Sequence, residues 1–327
     1  DWDRLKEEWQ NLVPEWDESH VENAVQAFVS RGGSVRIDTN HELLLSAPIE
    51  DLVAMAAELS GQTDDFLVEA NPFLGLVQTD PERARESIRR STADSATLGK
   101  ALRTLLTYAA DTADRYPVEE LLTLLKDCSD GVLLEAGRAV GHWIERRSRN
   151  RNIVPALDGL LNRLVHILPL MERSDYAEEE EDPDYVFRAI NAPAGNVATT
   201  MMADPRLPGA DQRTGLPYSW RTRAKALVNM PRPHGDHALT IFAGKAPYLH
   251  AHDVDWVEAH LLSNFEGPRR AVLLAGLSSW REPLPNAFFA SVRQLLITAA
   301  AEGGGRRRSL VDWLAAQLMF AWLREAG

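Results

Sequence analysis

Histidine is the residue whose spacing in this sequence comes nearest to a chemical site. Five of the nine histidines fall within the 27 residues from His234 to His260. His234 and His237, and then His250 and His252, have aspartate nearby and could supply nitrogen and carboxylate ligands to a metal ion. Neither pair has the His-Glu-x-x-His spacing of zinc proteases. Capping and packing of helix ends is the alternative, because His250 and His252 follow an apolar stretch.

Other catalytic patterns are missing from the sequence. Gly303-Gly304-Gly305 is followed by arginines rather than by the Lys-Ser/Thr of a phosphate-binding loop, and no Gly-x-Ser-x-Gly occurs. Cys128 is the single cysteine, so no disulfide can form within the chain, which is typical of a cytoplasmic protein. We interpret Cys128 as a buried structural thiol. The sequence therefore predicts no catalytic residue and no cofactor.

A second candidate site is the Pro- and Gly-rich stretch Asp204–Trp220, which ends in aromatic residues. A solvated linker has no need for large apolar side chains, so these residues either pack on the helices or contact a partner. Aromatic residues beside arginine are common anchors of protein contacts. We therefore predict a partner-binding site formed by Tyr218, Trp220, Arg221 and Arg223. Packing of the loop on its own helices is the alternative.

Most of the sequence around these candidate sites has the apolar periodicity of α-helices. Apolar residues recur at three- and four-residue steps, as in Leu310, Leu314, Leu318 and Trp322. Proline and acidic residues mark helix starts, as at Asp80-Pro81-Glu82. Pairs of helices would span about 40 residues, which predicts an all-α, irregular HEAT- or armadillo-like repeat. The predicted helices include 117–127, 131–147, 153–171, 253–265, 268–279, 285–301 and 309–325.

Two features interrupt the helical pattern. Strand-like residues on either side of Thr39-Asn40 predict one short hairpin near residues 34–46. An acidic loop, Glu178–Asp184, repels itself and buries nothing, so we predict that it is mobile. It would separate an N-terminal helical subdomain, residues 1–175, from a C-terminal one, residues 185–327.

Charge and hydropathy exclude several classes of partner. The net charge is −13, and residues 1–150 hold 28 acidic against 16 basic residues, so binding to duplex nucleic acid is not expected. Apolar runs are far shorter than the roughly 20 residues that cross a bilayer, so no membrane contact is expected. The first residue, Asp1, is not a methionine, which suggests a piece of a longer protein.

Six short motifs of the second half follow one another in this order: Asn191-Ala192-Pro193-Ala194-Gly195, Trp220–Leu227, Gly235–Leu239, Pro247-Tyr248-Leu249, Asp253–Val257 and His260-Leu261-Leu262. Together they resemble the helical C-terminal region of large bacterial sirtuin-like anti-phage defence proteins. The resemblance covers residues 185–265, about a quarter of the chain. In such proteins an N-terminal sirtuin-like domain consumes NAD, while the helical region senses an invader or drives assembly. The resemblance assigns no catalytic residue here, since this chain has no sirtuin-type glycine or histidine motif.

Together these observations favour an interaction domain over an enzyme. The expected function is a non-enzymatic protein-interaction or oligomerisation domain, acting as a sensor in a bacterial defence protein whose effector domain lies outside this chain. The partner would be another protein or a second copy of the chain. The alternative is a fragment of a metal-dependent hydrolase that uses the histidines between residues 234 and 260.

Overall fold

The computed structural model describes residues 36–60, 68–171, 183–209, 214–301 and 308–326. These ranges are helical apart from one two-stranded sheet, so the all-α prediction is confirmed. Short 3-10 helices cover Ala113–Arg115, Arg151–Leu157, Leu168–Leu170 and Leu262–Glu266. The α-helices are α1 Glu42–Leu45, α2 Leu52–Ser60, α3 Pro72–Thr79, α4 Pro81–Arg90, α5 Ser95–Asp111, α6 Val118–Asp127, α7 Asp130–Glu135, α8 Gly137–Ser148, α9 Asp158–Ile167, α10 Tyr185–Ile190, α11 Pro193–Met202, α12 Tyr218–Val228, α13 His234–Ala243, α14 Ala246–His252, α15 Val254–His260, α16 Arg270–Leu277, α17 Asn286–Ala301 and α18 Arg308–Ala326.

A row of five helices forms the centre of the fold. In this central row α5 packs on α8, α8 on α11, α11 on α13, and α13 on α16. The five helices begin at residues 95, 137, 193, 234 and 270, so successive members start 36 to 56 residues apart. This spacing brackets the 40 residues expected for a helix pair. The HEAT- or armadillo-like type of the repeat stays a prediction.

Glycine allows neighbouring helices of the central row to approach closely. A Cβ atom on Gly276 of α16 would lie 2.4 Å from the Thr240 carbonyl oxygen and 2.6 Å from Ala243 Cβ on α13. A Cβ atom on Gly141 of α8 would lie 3.0 Å from Pro193 Cα on α11. Side chains larger than hydrogen would force these helices apart, so both glycines are needed for packing.

The buried apolar residues form one continuous cluster from Leu44 to Ala321. It includes the direct contact of α8 with α11, which joins residues on either side of the acidic loop. Most of that loop, residues 178–182, lies outside the described ranges, as do residues 34 and 35 of the predicted hairpin. The division into two helical subdomains stays a prediction.

The predicted hairpin is wrong for residues 36–46. Strand β1, Arg36–Asp38, pairs in parallel with β2, Val68–Ala70, and the expected second strand is instead helix α1. Asp38 Oδ1 accepts a hydrogen bond from Asn40 N at 3.0 Å, and Asn40 Oδ1 accepts one from Glu42 N at 3.1 Å. These two side chains turn the chain into a helix, and the glycine that a tight hairpin turn favours is missing after Asn40.

The structure modifies two of the predicted helices, and proline explains the change in one of them. Residues 153–171 form α9 flanked by 3-10 turns, with Pro155 and Pro169 inside those turns. Proline cannot donate the backbone hydrogen bond that would continue an α-helix. Residues 131–147 are divided into α7 and α8 at Ala136. The last predicted helices, 285–301 and 309–325, coincide with α17 and α18 to within one residue.

The run Arg151–Leu170 is the one described stretch that is long and apolar enough, by length and composition, to cross a membrane. Its charged side chains bind other parts of the chain. Arg151 Nε donates to the Ala203 carbonyl oxygen at 3.1 Å, and Arg163 Nε donates to Asp130 Oδ1 at 2.7 Å. Leu160, Leu161, Leu164 and Ile167 of the run are buried in the core cluster. Inside the fold the run is therefore packed as a core element.

Candidate functional site

The structure distributes the predicted metal-binding histidines over two separate elements. His234 and His237 lie in the first turn of α13, while His250 and His252 lie in the last turn of α14. Among the residues that the structure describes, no three His, Cys, Asp or Glu side chains lie close enough to hold a metal ion. The hydrolase alternative therefore has no assembled ligand set in these ranges.

His237 occupies a buried position that disfavours its charged form. Only 6% of the residue is exposed, and its Nδ1 atom is buried without a hydrogen-bond partner. Burial, with His234 and Arg188 nearby, lowers the pKa of His237 to about 4, although Asp236 opposes the shift. The imidazole is thus neutral at neutral pH. A neutral, enclosed ring suits packing in the core.

His250 on α14 contacts a hydroxyl group on α17, which in turn binds a carboxylate on α15. Its Nε2 atom lies 3.1 Å from Ser291 Oγ on α17, and Ser291 Oγ donates to Glu258 Oε1 at 3.4 Å. Burial lowers the pKa of His250, with a smaller opposing effect of Glu258. His252 packs its ring edge-to-face on Tyr248, with ring centres 4.8 Å apart. These contacts agree with the packing alternative considered for the two histidines.

Two of the predicted partner-binding residues lie inside the fold. Trp220 is 1% exposed, and its Nε1 atom donates to the Met201 carbonyl oxygen at 3.0 Å. Its ring packs edge-to-face on Phe242 and Trp256, at centroid distances of 5.5 and 5.4 Å. Such contacts stabilise aromatic clusters beyond the area that they bury. A side chain so enclosed cannot contact a partner of the folded chain, so the prediction that Trp220 is a partner-binding residue is wrong.

Arg223 is likewise buried, and it belongs to an ion-pair network that the sequence did not indicate. Its Nη2 atom donates to Asp158 Oδ1 at 3.0 Å, and its Nε donates to Asn162 Oδ1 at 2.9 Å. Arg206 donates to both oxygens of Asp158, at 2.6 and 2.9 Å, and also binds the buried Asp204. Charge-assisted hydrogen bonds from both guanidinium groups lower the pKa of Asp158. This network fixes the loop after α11 and helix α12 onto α9.

The other two predicted residues, Tyr218 and Arg221, remain accessible on the first turn of α12. Tyr218 is 77% exposed. Arg221 Nη1 donates to Asp253 Oδ2 at 3.2 Å, and Asp253 also caps α15 by accepting from Trp256 N at 3.0 Å. Val254, the next residue, is exposed as well. We name Tyr218, Arg221, Asp253 and Val254 the α12 corner.

The loop that leads to the α12 corner is packed at both of its described ends. Leu207 and Leu216 are buried, and Tyr248 donates its hydroxyl hydrogen to the Pro208 carbonyl oxygen at 2.7 Å. The alternative of a loop packed on its own helices is therefore correct for residues 204–209 and 214–217. The described parts of the loop are therefore anchored on the helices beside the α12 corner.

An open groove of about 880 Å³ lies between α2, α3 and α5. Its size is in the range of small-molecule sites. Several of its polar groups are already engaged by nearby backbone or side-chain groups. Thr104 Oγ1 donates to the Lys100 carbonyl oxygen at 3.2 Å, Thr97 Oγ1 donates to Asp94 at 3.3 Å, and Asn71 Oδ1 accepts from Leu74 N at 3.0 Å. Glu69, Gln78 and Lys100 also line the groove, so its walls carry ionisable and amide side chains as well.

No protein-family model matches the chain, and no curated protein or solved structure is significantly similar to it.

Proposed function

We propose that this chain is a non-enzymatic helical interaction module of a bacterial anti-phage defence protein. It recognises a protein partner or mediates self-association. The observation that carries the proposal is the α12 corner, where an exposed tyrosine stands one helical turn from an accessible arginine. The resemblance of residues 185–265 to sirtuin-like defence proteins supports the biological setting. In that setting an effector domain outside this chain consumes NAD.

The chemistry of the α12 corner suits protein recognition. Tyrosine and arginine are enriched among the residues that dominate the free energy of protein association. Arg221 is held by Asp253, so less side-chain entropy is lost when a partner binds. The corner stands on a core formed by Trp220, Phe242 and Trp256. An aromatic and cationic surface supported by a packed core is what a binding site requires.

The test is a double substitution, Tyr218→Ala with Arg221→Ala. We expect the melting temperature to change little because both side chains are accessible, while the affinity for the partner falls by about 1–2 kcal/mol or more. The measurement is quantitative affinity capture from phage-infected cells that express the defence protein, combined with thermal unfolding of the purified variant.

A matched control replaces an exposed aromatic residue and an exposed arginine elsewhere, Phe187→Ala with Arg149→Ala. The control should capture the same proteins as the wild type. If the Tyr218/Arg221 variant also retains every captured protein at the wild-type level, the α12 corner is not the binding surface. A large loss of stability in that variant would mean that the two side chains serve the fold.

A further inference from the structure

A second open pocket, of about 420 Å³, lies between α15, the 3-10 helix Leu262–Glu266 and α17. Leu262, Phe265 and Leu295 supply its apolar lining, and the carboxylates of Glu258 and Glu266 supply its charge. The volume is within the range of small-ligand clefts, so the pocket has room for one long side chain of another protein. We name it the α15 pocket.

The two carboxylates of the α15 pocket lack a counter-charge within the described ranges. Neither Glu258 nor Glu266 forms an ion pair with a described lysine or arginine, and no such residue is part of the lining. Arg270 packs on Phe265, with its guanidinium carbon 4.5 Å from the ring centre, but does not itself line the pocket. Exposed carboxylates beside apolar side chains are therefore complementary to a cation with an apolar stem.

A hydrogen-bond chain from the core positions the Glu258 carboxylate. Ser291 Oγ, which also lines the pocket, donates to Glu258 Oε1 at 3.4 Å and lies 3.1 Å from His250 Nε2. His250 is 4% exposed, and its ring packs edge-to-face on Phe288 with ring centres 5.2 Å apart. The buried imidazole thus fixes the serine, and the serine orients the carboxylate. A carboxylate held in this way loses less side-chain entropy when a ligand binds.

The α15 pocket begins on the same side of α15 as one residue of the α12 corner. Val254 and Glu258 are four residues apart, so they lie on one helix face, about 6 Å apart along the axis. Val254 is 44% exposed, and Glu258 is exposed as well. A protein surface that contacts the α12 corner can therefore also reach the pocket.

We propose that the α15 pocket binds an arginine side chain of the protein partner that contacts the α12 corner. The inference rests on the proposed function and names the chemistry of the partner at this surface. The methylene groups of the arginine pack on Leu262 and Leu295, while its guanidinium group donates to Glu258 and Glu266. The net charge of −13 also favours the approach of a basic surface.

The donor set of arginine fits the pocket better than that of other cations. A planar guanidinium group has five donors and can bind two carboxylates at once, and Gln294 adds an amide oxygen to the lining. The ammonium group of lysine is a compact, strongly hydrated charge that gains less from apolar surroundings. Among the described residues, no three His, Cys, Asp or Glu side chains form a group that could hold a metal ion. Like-charge repulsion disfavours an anionic ligand.

The experiment uses N-acetyl-arginine methylamide, a blocked arginine without charged termini, as the probe. Methyl NMR of the full chain should show the resonances of Leu262 and Leu295 shifting, with a dissociation constant on the order of 1 mM. N-acetyl-lysine methylamide should bind at least about threefold more weakly. Glu258→Gln with Glu266→Gln should weaken binding of the blocked arginine at least about threefold, because each exposed carboxylate contributes modestly.

A matched control removes two exposed carboxylates elsewhere, Glu82→Gln on α4 with Glu119→Gln on α6. It lowers the negative charge of the chain equally and should bind the blocked arginine like the wild type. Unshifted Leu262 and Leu295 resonances, or equal weakening in the control and pocket variants, would overturn the proposal. Equal affinity for the blocked lysine would overturn the selection of arginine.

The link to the partner is tested by the capture experiment. The Glu258/Glu266 variant should retain at most about a third of each protein that the Tyr218/Arg221 variant loses. Undiminished capture would overturn the assignment of the pocket to that partner.

Failure of the α15 pocket is distinguishable from failure of the α12 corner. Tyr218→Ala with Arg221→Ala should leave binding of the blocked arginine unchanged, because neither residue lines the pocket. Probe binding together with full capture by the Tyr218/Arg221 variant would support the arginine site and contradict the corner. Loss of capture in that variant without probe binding would support the corner and overturn the pocket.

Discussion

The middle of the central row and the pair of C-terminal helices α17 and α18 differ in which kinds of side chain they bury and expose. In the middle, Asp236 is buried between Arg232 and Arg269, at 2.6 and 2.8 Å, and Arg269 also donates to the Val228 carbonyl oxygen at 2.8 Å. On α18, by contrast, the large apolar side chains of Met319 and Trp322 are exposed. Residue type alone is therefore a poor guide to burial in both regions, because charged side chains are buried in one and large apolar side chains are exposed in the other.

The largest expected effect separates two tryptophans, one from each region. Trp220→Ala should lower the free energy of unfolding by about 3–5 kcal/mol, because it empties an aromatic cluster and removes the hydrogen bond to Met201. Trp322→Ala should change it by less than about 0.5 kcal/mol when measured at a concentration where the chain is monomeric. Chemical denaturation of both variants gives the comparison. Similar losses in the two variants would contradict the contrast between the regions.

Acid should weaken the middle of the row. The pKa of His237 is about 4 in the folded chain, well below its ordinary value near 6.5. Between these values the unfolded chain binds a proton that the folded chain does not, so the free energy of unfolding falls as the pH drops from 6.5 to 4. The loss attributable to His237 is at most about 3 kcal/mol.

Urea titrations at several pH values measure the slope of the free energy of unfolding against pH. His237→Gln should flatten it, since glutamine does not titrate, while the same change at the exposed His166 should not. An unchanged slope in His237→Gln would show that other groups cause the acid sensitivity.

The smallest of these effects concerns the distance between two helices of the central row. Gly276→Ala should destabilise the chain by about 1–3 kcal/mol, because the added methyl group would lie 2.4 Å from the Thr240 carbonyl oxygen. Gly159→Ala is the control, since nothing lies within 4 Å of the added atom there. It should be neutral or raise the free energy of unfolding by about 0.5 kcal/mol. Thermal unfolding distinguishes the two, and equal melting temperatures would mean that α13 and α16 can separate freely.

Helix content could be predicted because it depends on local spacing. Apolar periodicity and N-terminal capping residues fixed the ends of α6, α17 and α18 to within a residue. The prediction of a β-hairpin near residues 34–46 was wrong because the partner of β1 is β2, about 30 residues further along the chain. Pairing between distant segments leaves no local pattern from which it could be derived.

The candidate site was predictable only in part. Tyr218, Trp220, Arg221 and Arg223 were grouped because they are adjacent in sequence, yet successive helix residues point about 100° apart. The buried residues of α12 are Trp220, Arg223, Ala224, Leu227 and Val228, which is helical spacing. That spacing was visible in the sequence and could have separated the buried residues from the accessible ones. The pairing of Asp158 with Arg206 and Arg223 was not visible, because the partners are 48 and 65 residues away.

The central row also determines how the chain loses its structure. Because each helix of the row packs on the next one, cooperativity passes along the row from helix to helix. Helix α18, held along one side by hydrogen bonds to Trp280 and Leu284, forms the end from which opening costs least. Amide protons of α18 should therefore exchange with solvent deuterium earliest, and those of α11 and α13 latest. A partner that covers α18 would slow exchange there first.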